Sequence, residues 1–247
     1  MGFLLQWRQN LLPALCLCLA LTPVARADGL LLGAAAGYKK PMEAVCTEFE
    51  RESGLKLRRF YGNISQIVAQ SARDGRVDVL VGDRAFLDKS GIAFSRRITL
   101  GQGRAVLAWR RGLHLQKLDQ LATLRKVAMP DPKQAIYGRA AEEFLAHAAL
   151  APAAPPKVVG SMSQVVAYLV SGEVDAGFIN LTEALALGDA IGGYLELPGE
   201  SHTPILIEAA FPVREDAPDA RNAAWVERFA GHLAASGTRS VLHGFGL

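Results

Sequence analysis

Along residues 30–247, short apolar runs alternate with stretches in which apolar positions recur every three or four residues. Runs of the first kind suit buried strands and the second kind amphipathic helices, and their alternation is the pattern of an α/β fold. Leu30-Leu31-Leu32 opens as a strand. Met42, Val45, Cys46 and Phe49 then fall on one helical stripe that begins near Pro41 and stops at Ser53-Gly54. Leu55–Tyr61 is a second strand, Ser65–Asp74 a helix with Ile67 and Val68 inward, and Val77–Val81 a third strand ending at Gly82-Asp83. Three strands linked by two helices at this spacing predict right-handed parallel crossovers.

Arg104–Trp109 predicts a further strand, with Arg110-Arg111-Gly112 as the crossing into a second unit. There the logic recurs: a strand at Val127–Met129, a helix at Gly138–Ala149, a Pro/Ala-rich connection at Ala151–Pro156, and a helix stripe of Met162, Val165, Val166, Leu169 and Val170. A buried strand follows at Ala176–Ile179. Ile205–Phe211 is apolar enough to be the return crossing, and Trp225, Phe229 and Leu233 mark a final helix. The expected architecture is two α/β lobes joined by two crossing strands. One lobe comprises 28–107 and 210–247, the other 108–209. No stretch of sequence repeats another.

The N-terminus changes where such a protein would work. Arg8 precedes an apolar stretch from Leu11 to Leu21, and Ala25-Arg26-Ala27 is a small-residue cleavage pattern. Residues 1–27 read as a cleavable signal peptide, being too short and too interrupted by Pro13 for a membrane span. Leu before both Cys16 and Cys18 argues against a lipid anchor. The mature chain is expected to be periplasmic and monomeric. Its net charge falls from +3 to about +1, because the leader carries Arg8 and Arg26 and no acid. A nearly neutral chain with scattered Arg pairs is not a nucleic-acid surface.

Candidate chemistry is sparse. Cys46 alone remains after cleavage, which rules out an internal disulfide, and its helical register places it in the core. The five histidines are dispersed, with no metal-ligand spacing. No nucleophile elbow, phosphate loop or dinucleotide fingerprint is present, so no catalytic residue and no cofactor is expected.

What recurs is small or polar residues where a strand hands over to a helix: Gly37-Tyr38-Lys39-Lys40, Gly62-Asn63-Ile64-Ser65-Gln66, Tyr137-Gly138, Ser161-Met162-Ser163, and Asn180 ahead of Thr182. In parallel sheets these junctions lie at the carboxyl ends of the strands, where ligands bind. Helix starts there present unpaired N–H groups and a partial positive charge, a ready anion site. Each junction taken singly is ordinary capping; five facing one cleft exceed what capping requires.

With these features the chain resembles the periplasmic molybdate-binding proteins of ABC importers, within the type II periplasmic binding protein fold. The resemblance is carried by Gly33–Gly37 with the helix after it, by Phe60-Tyr61-Gly62, and by Gly75–Val79. It continues through the acidic turn Gly82–Asp88, Met129–Pro132 with Tyr137–Ala140, Val170–Gly177, Pro204–Val213 and the terminal Gly244–Leu247. It implies an oxyanion held by two hydroxyl side chains from the first lobe and by backbone N–H groups and a tyrosine from the second. Here the first hydroxyl position falls on Gly37, the second on Asn63-Ile64-Ser65, and the tyrosine on Asn180. Met162 or Ser163 retains a backbone donor.

The expected ligand contacts are therefore Tyr38, Lys39, Asn63 and Ser65 from the first lobe and Tyr137, Ser163 and Asn180 from the second. Lys39 at the cleft would suit a more highly charged or more basic anion; its other reading is a solvated lysine beside Lys40. Tyr38 and Tyr137 either line the cleft or pack at the lobe edge. The expected function is capture of a small anion, an oxyanion of the molybdate or tungstate type, by hinge closure, for delivery to a membrane ABC permease. The alternatives are a sensor that presents its closed form to a receptor domain, or the same fold holding another oxyanion, a small carboxylate or a metal complex.

Overall fold

The computed structural model describes residues 29–214 and 220–247; the expected leader at 1–27 lies outside them. The first apolar run is strand β1 (Leu30–Ala35). It leads through a 3₁₀ turn at Ala36–Tyr38 into α1 (Lys39–Ser53), whose Met42, Val45, Cys46 and Phe49 are all buried. Burying side chains of this size contributes about 1.5–3 kcal/mol each, so this stripe fixes α1 on the sheet. Burial also pushes the Cys46 thiol up to about 12, leaving it an inert core group. β2 (Leu57–Gly62), α2 (Ile64–Asp74), β3 (Val79–Asp83) and the short α3 (Arg84–Asp88) follow. β1 pairs in parallel with both β2 and β3, as the crossovers require.

Ten-residue β4 (Phe94–Gly103) has no counterpart in the sequence-based expectation; it occupies the far edge of this first sheet. The chain then enters the second sheet with β5 (Ala105–Trp109), followed by β6 (Val127–Pro130), α4 (Ile136–His147), β7 (Lys157–Val159), α5 (Met162–Ser171), β8 (Ala176–Asn180), α6 (Leu181–Leu187) and β9 (Gly193–Glu196). β10 (Ile205–Pro212) returns to the first sheet, and α7 (Ala220–Ala234) and α8 (Ser236–Gly244) pack there against α1 and β4. The sheet orders are β2-β1-β3-β10-β4 and β7-β6-β8-β5-β9. Strand for strand these are the same arrangement, with the fourth strand antiparallel to its neighbours in each. The two lobes thus repeat a topology that their sequences do not announce.

The crossings fall elsewhere than expected. β5 lies wholly in the second sheet and β10 wholly in the first, so the chain changes lobes at Gly103–Ala105 and again between Glu196 and Ile205. Residues 105–107 therefore belong with the second lobe and 205–209 with the first. The reason is that β5 is buried along its whole length between β8 and β9, while Arg110–Gly112 is only a surface turn. The two crossings touch. Gly103 pairs with Ile205, and a Cβ on Gly103 would run into both Ile205 and the Tyr137 hydroxyl. Thr203 N–H donates to Glu143 Oε2 (2.6 Å), tying the return crossing to α4. Two smaller expectations also change. Val170 is 51% exposed and leaves the α5 stripe, and the helix carrying Phe229 and Leu233 is followed by α8 rather than ending the fold.

Among the described residues no helix is long and apolar enough to cross a membrane.

Candidate functional site

The carboxyl ends of the parallel strands in both sheets face one another, and a cavity of about 290 Å³ lies between them. Six strand-to-helix junctions surround it, three from each lobe, and their caps follow the same sequence. The first junction of each lobe, at the 3₁₀ turn after β1 and at the start of α4, has no side-chain cap. At the second, Asn63 Oδ1 accepts from the N–H groups of Ser65 (2.9 Å) and Gln66 (3.4 Å), and Ser161 Oγ accepts from Gln164 N–H (3.3 Å). At the third, Asp83 Oδ1 accepts from Ala85 N–H (2.9 Å), and Asn180 Oδ1 from Glu183 N–H (2.8 Å). The uncapped starts leave backbone N–H groups such as those of Ile136 and Tyr137 at the cavity wall, where a helix N-terminus attracts negative charge.

Of the residues expected from sequence, Tyr38, Asn63, Tyr137, Ser163 and Asn180 line the cavity. Lys39 and Ser65 do not. Lys39 is exposed, with Nζ 5.9 Å from the centre of the Tyr61 ring, and Ser65 is exposed on α2. Lys40, read as a solvated neighbour, spans the cleft instead and donates to Ala186 O (3.2 Å). Among the described residues the wall carries no Lys, Arg or His, and it includes apolar Ile64, Phe86, Ile136 and Met162. Asp83, which the sequence put at the end of the third strand, is in the wall and 4% exposed, while Lys39, the partner an acid–base reading would need, is not in the wall. The signal for Asp83 was present in hindsight: it ends β3 just as Asn180 ends β8.

The lobes meet at the cavity rim. The Tyr38 and Tyr137 hydroxyls are 2.8 Å apart, and Asn180 Nδ2 reaches Gly37 O at 3.5 Å. Burial holds both phenols well above the ordinary tyrosine range, so both stay protonated. Gly37 leaves room for this approach: a Cβ there would sit 2.7 Å from Met162 Cε and 2.9 Å from Asn180 Nδ2, so one of these side-chain ends would have to shift. Gly37 stands where the resemblance implies a hydroxyl and Asn180 where it implies a tyrosine, and the two lie against each other across the cleft. Asp83 is raised from the usual carboxylate range by burial, with Arg139 acting against the shift. Its helix is held by Glu208, buried on β10, which accepts from Arg84 Nε (2.7 Å) and Arg97 Nη1 (3.3 Å). Among the described residues no group of three or more His, Cys, Asp or Glu side chains could hold a metal ion.

A cleft of helix starts between two α/β lobes is the architecture of the two-lobed periplasmic binding proteins. The chain belongs to the bacterial extracellular solute-binding protein family, which it matches over residues 30–247. It is 27% identical over 198 residues to the molybdate-binding protein ModA of Azotobacter vinelandii, covering 75% of this chain and 78% of that one. It is 24% identical over 226 residues to ModA of Rhodobacter capsulatus, covering 87% of each. The crystallised periplasmic molybdate-binding protein of Azotobacter vinelandii superposes with a TM-score of 0.74 at 22% identity, covering 88% of this chain and 97% of that one.

Proposed function

We propose that the chain, exported to the periplasm by residues 1–27, traps a small oxyanion of the molybdate or tungstate type between its lobes and delivers it to an ABC permease. The observation that carries this reading is the convergence of helix starts from both lobes on one cavity whose wall holds no cation. An anion there is held by N–H groups, hydroxyls and amides fixed in advance, so little reorganisation opposes binding. Tyr38 and Asn63 serve from the first lobe, and Tyr137, Ser163 and Asn180 from the second. A ligand touching both lobes favours the closed form by the contacts it makes only there. The names of the relatives support molybdate in particular.

A second reading is favoured by size and lining. Four oxygens, at about 30 Å³ of liquid volume per water-sized group, take up roughly 120 Å³, well under the 290 Å³ present. Ile64, Phe86, Ile136 and Met162 could cover an apolar body attached to the anionic group, as in a small organic carboxylate. Thermal-shift titration with molybdate, tungstate, sulfate, phosphate, chromate and small carboxylates separates the two. A ligand that binds only the folded state raises Tm with concentration. A rise with molybdate or tungstate alone supports the first reading, and a rise with carboxylates alone the second. No rise with any of them would overturn anion capture.

A further inference from the structure

At the third junction the two lobes do the same structural job with different chemistry. Asp83 and Asn180 both end a parallel strand, both cap the helix that follows through Oδ1, both are buried, and both line the cavity. Asn is as good a cap as Asp, so capping does not account for a carboxylate at position 83. α3 gains little from its charge, since the helix is a single turn. No Lys or Arg forms an ion pair with Asp83 among the described residues. A carboxylate in the wall of a site otherwise built for anions sets a condition on whatever binds there.

We propose that Asp83 shares one proton with the bound anion, so that the site takes up a proton from solvent as it takes up its ligand. This rests on the anion-capture reading. Two negative groups brought together in a partly buried cleft cannot both stay ionised without a loss of affinity. One proton between a carboxylate oxygen and a ligand oxygen removes the repulsion and adds a charge-assisted hydrogen bond. It does not matter on which oxygen the proton rests. The ligand class follows: an oxyanion that can accept, or itself bring, a proton at the oxygen facing Asp83.

The surroundings of Asp83 agree with this. From the 3₁₀ turn before α1 and from α4, the Tyr38 and Tyr137 hydroxyls sense its charge, and both remain protonated. One of their two hydroxyl hydrogens is used between them, and the Tyr137 hydroxyl also meets the Asn180 side chain. Arg139, also on α4, favours the ionised form of Asp83, and Glu208 on β10 opposes it. Arg84 on its own helix is engaged by Glu208. Arg139 and the backbone N–H groups of Ala85 and Phe86, which favour the ionised form, do not outweigh burial, so Asp83 titrates higher than a solvated aspartate and is readier to hold a proton.

The test is calorimetric titration of the wild type and of Asp83→Asn with molybdate and with sulfate, in buffers of differing ionisation enthalpy, between about pH 6 and about pH 8. Asn preserves the cap, as Asn180 demonstrates, and circular dichroism of the variant confirms that it folds. The wild type should take up about one proton per anion, and its Kd should rise toward tenfold per pH unit once Asp83 ionises in the free protein. In Asp83→Asn the uptake should vanish and Kd should become flat with pH. Binding by both proteins with no proton uptake and parallel pH profiles would overturn the shared proton while leaving anion capture intact. If neither anion binds either folded protein, anion capture itself fails, and the proposal falls with it.

Discussion

Asp83 and Asn180 are the same position in two lobes of identical strand order, and they differ by one charge. Everything the backbone needs from them is equal: a strand end, a cap, a place in the cavity wall. What differs is what each offers a ligand. Asn180 presents an amide that can donate or accept, and its Nδ2 already reaches across to Gly37 O. Asp83 presents an acceptor unless it is protonated. The second lobe is therefore unconditionally receptive to an anion and the first conditionally so.

The comparison is broken most severely by making the lobes alike in the acidic sense. Asn180→Asp places a second carboxylate in the same wall, and like charges at about 4 Å repel by roughly 4 kcal/mol at an effective dielectric of 20. Anion affinity should fall by roughly a hundredfold or more near neutral pH, measured by calorimetry. Less drastic is Gly37→Ser, which restores the hydroxyl position of the resemblance but drives a Cβ against Met162 and Asn180. Closure should be hindered and affinity should drop by roughly tenfold, since misplacing one closing contact costs on the order of 1.4 kcal/mol. Small-angle scattering should report a larger mean radius of gyration for this variant.

The middle junctions give a milder contrast. Asn63→Ala removes a cap with one bond of 2.9 Å and should cost about 1 kcal/mol in thermal or urea unfolding. Ser161→Ala removes a single longer bond of 3.3 Å and should cost less than that. An equal loss at both sites would show that the caps are not what distinguishes them.

The smallest effect is on stability alone. Asp83 titrates higher in the folded chain than in the unfolded one, so the folded state binds more protons in the interval between the two values. Stability then declines as pH rises through that interval. Asp83→Asn should be more stable than the wild type above the interval and lose that advantage below it, in melting curves without ligand. An advantage that grew toward acid would contradict the direction of the shift.

Much of this was legible in the residues. The parallel cores of both lobes follow from apolar runs and helical stripes, because burial on both faces leaves little else those segments could be. β4 was missed because Phe94–Gly103 is an edge strand with five charged or polar positions open to solvent, so neither face reads as continuous core. The hinge was misplaced because Arg110-Arg111-Gly112 looks like punctuation, whereas the true crossing turns on a glycine that makes room for Tyr137. At the site, junction residues could be found from strand ends alone, but their facing could not. The last residue of the 3₁₀ turn and the first of α1 point in different directions, which puts Tyr38 into the cleft and Lys39 over Tyr61. Asp83 acquires its meaning only when the second lobe places Asn180 opposite to it.

The central claim, that an anion is held between the lobes by groups from both, is tested most directly by titrating wild type and Asn180→Asp side by side with the anion that raises Tm most. One-to-one binding in the wild type, with affinity lower by roughly a hundredfold or more in the variant, is the predicted result. Equal affinity in the two proteins would place the anion somewhere other than this cavity.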